Sequence, residues 1–125
     1  MHDFEAQKEQ TFDTFAAIAS GYAVPASVSL DIHFFADDDA DCDAARAALL
    51  QAGYTSSIDS EAQSAEVTVD LDNPTAERIW ERERQITELL LPYGFVPDGW
   101  GFHLDPQPGF FGALAARVSG LFGRA

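Results

Sequence analysis

The apolar positions change period several times along the chain, and each change marks an element. Over Asp3–Ser20, Phe12, Phe15, Ile18 and Ala19 fall at i, i+3, i+6 and i+7, the spacing of one helical face. Gly21, with Pro25 shortly after, predicts the helix stop. From Ser27 to Phe35 the period drops to two: Val28, Leu30, Ile32 and Phe34 share one side, and Ser29, Asp31, His33 and Phe35 the other. Asp37, Asp38 and Asp39 then offer carboxylates to the free N–H groups of a helix start. That helix, rich in Ala and Leu, is expected to run to about Ala52 and to stop at Gly53. Tyr54–Ile58 reads as a short strand, and Ser60, Glu61 and Gln63 as a turn.

Glu66–Leu71 alternates again, with Val67, Val69 and Leu71 inward. Asn73 or Thr75 caps a further helix whose apolar positions are Ala76, Ile79, Trp80, Ile86, Leu89 and Leu90. Glu77, Arg78, Glu81, Arg82, Glu83 and Arg84 are assigned to its wet side, and Pro92 and Gly94 end it. Pro97-Asp98-Gly99 reads as the entrance to a last strand, with Trp100, Phe102 and Leu104 on one face.

After the first helix the order is β-α-β-β-α-β. This predicts an α+β fold, a ferredoxin-like sandwich of four antiparallel strands with two helices on one face. The strands around Val28 and Val67 are the expected central pair. Residues 1–25 form a helix and linker, 26–105 the sandwich domain, and 106–125 an amphipathic C-terminal helix. The other sheet face is left open and gathers Asp31, His33, Phe35, Glu66, Thr68, Asp70, Gly101 and His103. The first helix, the tail or a partner is expected to cover it.

Charge narrows the function. In 125 residues, 7 Lys and Arg face 21 Asp and Glu, for a net charge of −14. Phosphate binding needs clustered cations, so nucleic acid is excluded as a direct partner, whereas a basic protein is attracted. No run approaches the roughly 18 apolar residues of a membrane span. The N-terminus lacks the charged and apolar regions of a signal peptide, and the lone Cys42 fits a reducing cytoplasm.

Candidate chemistry is sparse. Asp37, Asp39 and Asp41 imitate a calcium loop, but Cys42 stands where its glycine belongs and Ala48 where its bidentate Glu belongs. His33, His103 and Asp31 lack a third firm metal ligand. Phosphate loops and nucleophile–base sets are not evident, so no catalytic residue, metal or cofactor is assigned. The candidate partner-binding residues are Asp37, Asp38, Asp39, Asp41, Asp43, Asp98 and Trp100.

Four segments carry a family resemblance. Asp98-Gly99-Trp100-Gly101 resembles the Tyr-Asp-Gly-Trp-Gly ending of the regulator of ribonuclease E activity B (RraB) family. Ile32-His33-Phe34-Phe35-Ala36-Asp37-Asp38 is similar to its first strand and acidic turn, and Leu49-Leu50-Gln51-Ala52-Gly53-Tyr54 to its helix end. The leading Glu9–Ile18 helix is similar to the helix that precedes the sheet in such proteins. The resemblance covers roughly residues 4–105. It implies a ferredoxin-like, non-enzymatic protein that binds ribonuclease E, or a related degradosome component, and restrains RNA decay. Where the family pattern ends in an acidic tail, this chain carries an apolar stripe of Phe110, Phe111, Leu114, Val118, Leu121 and Phe122. That stripe is expected to dock on its own domain or on a second copy to give a homodimer, with insertion into a membrane interface or a partner groove as the other reading. An immunity-like protein that neutralises a basic nuclease, and a ligand-binding domain using His33, His103 and Asp31, are the other readings.

Overall fold

The computed structural model describes residues 2–102. Two long strands, β1 (Ser27–Ala36) and β3 (Ser64–Asp72), form the centre of a four-stranded antiparallel sheet. The edge strands are β2 (Thr55–Asp59) and β4 (Phe95–Gly101), in the order β2-β3-β1-β4. Three helices accompany them: α1 (Phe4–Gly21), α2 (Cys42–Gln51) and α3 (Ala76–Leu90), the last followed by one 3-10 turn, Leu91–Tyr93. The architecture is α+β. The expected helix of residues 106–125, together with His103 and Leu104, lies outside the described residues.

The period-two pattern decides which sheet face is dry. Register places Val28 opposite Leu71, Leu30 opposite Val69, Ile32 opposite Val67 and Phe34 opposite Ala65. Leu30, Ile32, Phe34 and Val67 are buried under Ala45 and Leu49 of α2 and Ile79, Ile86 and Leu90 of α3. Each large side chain so buried contributes about 1.5–3 kcal/mol, more than any single surface ion pair here.

Several boundaries depart from the sequence pattern for local reasons. The cap of α2 is Asp41, whose Oδ1 accepts from Ala44 N at 3.0 Å, not Asp37, Asp38 or Asp39. The chain first has to turn out of β1, and Asp37 closes that turn by accepting from Asp39 N at 2.9 Å. Thr75 caps α3 through Arg78 N at 3.1 Å, and Gly53 takes the left-handed φ of +86° after α2. Gly21 is the last residue of α1 itself, and Tyr22 leaves it in extended conformation.

The inward face of α1 is the largest correction. Its buried row is Gln7, Thr11, Thr14 and Ile18, whereas Phe12 and Phe15 sit half-buried at the margin and Ala19 is exposed. The helix packs on α3 and reaches Trp100 of β4, which lies on the helix-covered sheet face beside Ile32. Neither α1 nor any other helix covers the opposite face among the described residues.

β4 starts earlier than its apolar pattern suggests, and Pro97-Asp98-Gly99 lies inside it. Phe34 pairs with Pro97 and Ile32 with Trp100, so β4 carries one extra residue where the register shifts. Gly99 takes φ +92° there, a conformation that glycine adopts without a Cβ clash. The bulge returns Trp100 to the dry face, where it is 3% exposed and stacked on Phe102 at 6.0 Å.

Candidate functional site

The acidic turn joins β1 to α2. Asp37, Asp38, Asp39, Asp41 and Asp43 are all exposed. Asp37 N donates to Gly94 O and Asp41 N to Tyr93 O, both at 2.9 Å, which ties the turn to the start of β4. Asp43 is bonded to Arg46 at 3.0 Å. The result is a concentrated negative surface on a fixed backbone.

Gly94 is the keystone of that tie. Its φ is +86°, and a Cβ there would lie 2.7 Å from Ala40 Cα and 2.8 Å from Asp37 Oδ1. Gly94→Ala is therefore expected to destabilise the domain by about 2 kcal/mol, since the left-handed backbone alone costs about 1–2. Urea denaturation measures the loss, and faster amide exchange at Asp37 and Asp41 would locate it in the turn.

The sheet face that no helix covers among the described residues brings Asp31, His33, Glu66 and Asp70 together. Asp31 lies opposite Thr68 on one side and Gly101 on the other, and Thr68 Oγ1 donates to Asp31 Oδ1 at 2.9 Å. His33 Nδ1 is 3.5 Å from Glu66 Oε2. Phe35 is 48% exposed at the end of this row, next to the acidic turn. Among the described residues no group of three or more His, Cys, Asp or Glu is placed to hold a metal ion. His103 lies outside the described residues, as do Phe110, Phe111, Leu114, Val118, Leu121 and Phe122.

Asp98 and Trp100, neighbours in sequence, part company in space. Asp98 is half-buried in the bulge, and Trp100 is core, with its indole Nε1–H donating to Thr11 Oγ1 at 3.2 Å. Trp100 thus supports the fold, and the little of it that is exposed lines a cavity rather than the outer surface of the acidic turn.

Around Trp100 lies a polar cluster that sequence reasoning missed. Glu83, placed on the wet side of α3 by pattern, is only 2% exposed, because α1 lies over it. Thr11 Oγ1 donates a short hydrogen bond to Glu83 Oε1, while Gln7 Nε2 donates to Thr87 Oγ1 at 3.1 Å. Burial pushes the Glu83 carboxyl up to about 7, against the opposing effect of hydrogen bonds from Thr11 and Gln7. A cavity of about 240 Å³ opens beside it, bounded by α1, Glu83 and the Pro97, Gly99 and Trp100 stretch of β4. The available signal was spacing: Glu83 continues the row Ile79, Ile86, Leu90, and Gln7, Thr11 and Thr14 make a matching polar row on α1.

The model of the family described as regulator of ribonuclease activity B matches residues 4–102, from the first residue of α1 to the stacked Phe102. The chain belongs to the regulator of ribonuclease activity B family. The match spans α1 as well as the sheet, so the helix that buries Glu83 is part of the family unit. Membership implies regulation of ribonuclease activity. No curated protein matches the chain. Among the described residues no helix is long and apolar enough to cross a membrane.

Proposed function

We propose that this protein is a non-enzymatic cytoplasmic regulator that binds a ribonuclease, ribonuclease E or a related degradosome component, through its acidic turn. The observation that carries the reading is the turn itself: five exposed aspartates held on a backbone tied to Tyr93 and Gly94. A fixed array of like charge has its repulsion already compensated by the fold, so a basic segment meets it without an ordering cost on this side. The net charge of −14 extends the attraction beyond contact range and favours fast association. The strand order β2-β3-β1-β4 with helices on one face supports the ferredoxin-like assignment, which leaves the Asp31, His33 and Glu66 face as a second surface for the same partner.

The test is calorimetric titration into the host's ribonuclease E, both full length and lacking its C-terminal region, at two salt concentrations. Binding to the full-length form alone, weakened by salt, is the expected result. Asp38→Lys with Asp39→Lys is expected to weaken it by about tenfold, a loss of about 1.4 kcal/mol. Asp37 is spared because its carboxylate shapes the turn. Salt-independent binding, or a charge-reversed variant that binds as well as the parent, would remove the acidic turn from the mechanism.

A further inference from the structure

The cavity between α1, α3 and β4 has the features of a binding site that regulation through the acidic turn does not use. Glu83, Trp100, Thr11 and Thr14 are among the residues that line it. Asp3 stands at the α1 end. Among the described residues neither Lys nor Arg lines it, so the field inside is negative and has no counter-ion from them. The titratable groups facing it are Glu83 from α3 and His2 and Asp3 from the start of α1; β4 contributes none to its lining. His2 Nε2 is engaged with Gln7 Oε1 at 2.6 Å.

Size limits the occupant. At about 240 Å³ the cavity falls below the roughly 300–1,000 Å³ of sites for whole drug-sized ligands and cofactors. It suits one side-chain-sized group. A buried carboxylate beside an aromatic wall selects a flat or compact cation, which gains an ion pair and a cation–π contact together. We propose that this cavity is a recognition site for a single guanidinium or primary ammonium group, with Glu83 as counter-ion and Trp100 as wall. The site is separate from the acidic turn and stands whichever protein that turn binds. A partner's Arg side chain and a free small amine share this chemistry, and the two sources are separable.

Entry of a cation draws the Glu83 proton off, so binding strengthens as pH rises from 6 to 8. The indole N–H of Trp100, bonded to Thr11 and one step from Glu83, reports the event. The experiment is an NMR titration of the full chain that follows the two indole N–H resonances, separated by a Trp80→Phe variant. The probes are agmatine, the peptide acetyl-Gly-Arg-Gly-amide, and urea as the neutral isostere of guanidinium.

The expected result is a saturable shift of Trp100 and not of Trp80, produced by a guanidinium probe and not by urea. Affinity is greater at pH 8 than at pH 6 and falls by about tenfold in Glu83→Gln. Tighter binding of the peptide identifies a partner side chain as the occupant; binding of agmatine alone identifies a free amine. No saturable Trp100 shift with either cation would overturn the proposal, as would equal effects of urea and agmatine. The urea comparison uses the parent protein, so it decides the matter even if Glu83→Gln unfolds.

Discussion

Trp100→Ala is expected to cost about 3–5 kcal/mol, the usual range for removing a buried tryptophan. The residue is 3% exposed, stacks on Phe102, faces Ile32 across the sheet and donates its indole N–H to Thr11. Truncation removes the largest side chain of the β4 core and also a donor on which a buried hydroxyl depends. Trp100→Phe separates the two contributions. It keeps most of the ring and loses the hydrogen bond, so a loss of about 1–2 kcal/mol is expected. Urea denaturation of both variants measures these values. Near-equal losses for Phe and Ala would mean that the indole N–H stabilises the fold more than the packing of the ring does. A loss under about 1 kcal/mol for Ala would mean that Trp100 is not core at all. The short Asp-Gly-Trp-Gly segment is thus a folding device: Gly99 makes the bulge, and the bulge aims the tryptophan inward.

The two central strands were legible in kind and register, though β3 extends from Ser64 to Asp72 beyond the Glu66–Leu71 stretch that was read, because alternation leaves one register that buries Leu30, Ile32, Phe34 and Val67 together. Gly53 was legible for a similar reason, since cap chemistry is local, and the cap of α3 was narrowed to Asn73 or Thr75, of which the structure takes Thr75. The gathering of Asp31, His33, Glu66 and Asp70 on one face also followed from alternation alone. What period and propensity did not reveal was set by contacts between distant segments. Phe12 and Phe15 have helical spacing, yet α1 turns Gln7, Thr11 and Thr14 inward, because what it meets on α3 and β4 is Glu83, Thr87 and an indole N–H. A polar row buries well only against a complementary polar row, and that complement lies more than 70 residues away. The capping role of Asp41 was hidden by its acidic neighbours, which all satisfy the same local rule. Only the demand for a turn before the helix chooses between them.

Glu83 gives the other large expectation, and it is one of pH. Its carboxyl titrates near 7 when folded against an ordinary value of 4.5, so the folded chain holds a proton that the unfolded chain has lost. By linkage the stabilising contribution is fully present below about pH 4.5 and is lost as pH rises through 7, amounting to about 3 kcal/mol between those limits. This is opposite in sign to the usual salt-bridged carboxylate. Glu83→Gln, neutral at every pH and able to accept from Thr11 through its amide oxygen, should match the parent near pH 4.5 and be more stable at pH 8. Urea denaturation of parent and variant across that range, read as a difference, cancels the titration of the exposed carboxylates they share. A difference independent of pH would show that Glu83 titrates alike in the folded and unfolded chain, so that burial does not shift it. The deficit of the parent above pH 7 is a buried negative charge for which the Thr11 and Gln7 hydrogen bonds compensate only in part. A cation in the adjacent cavity would supply what is missing, so added agmatine should raise the stability of the parent at pH 8 and, at the same concentration, that of Glu83→Gln by less. The same carboxyl therefore links the seating of α1 on α3, the proton and the cation in one equilibrium.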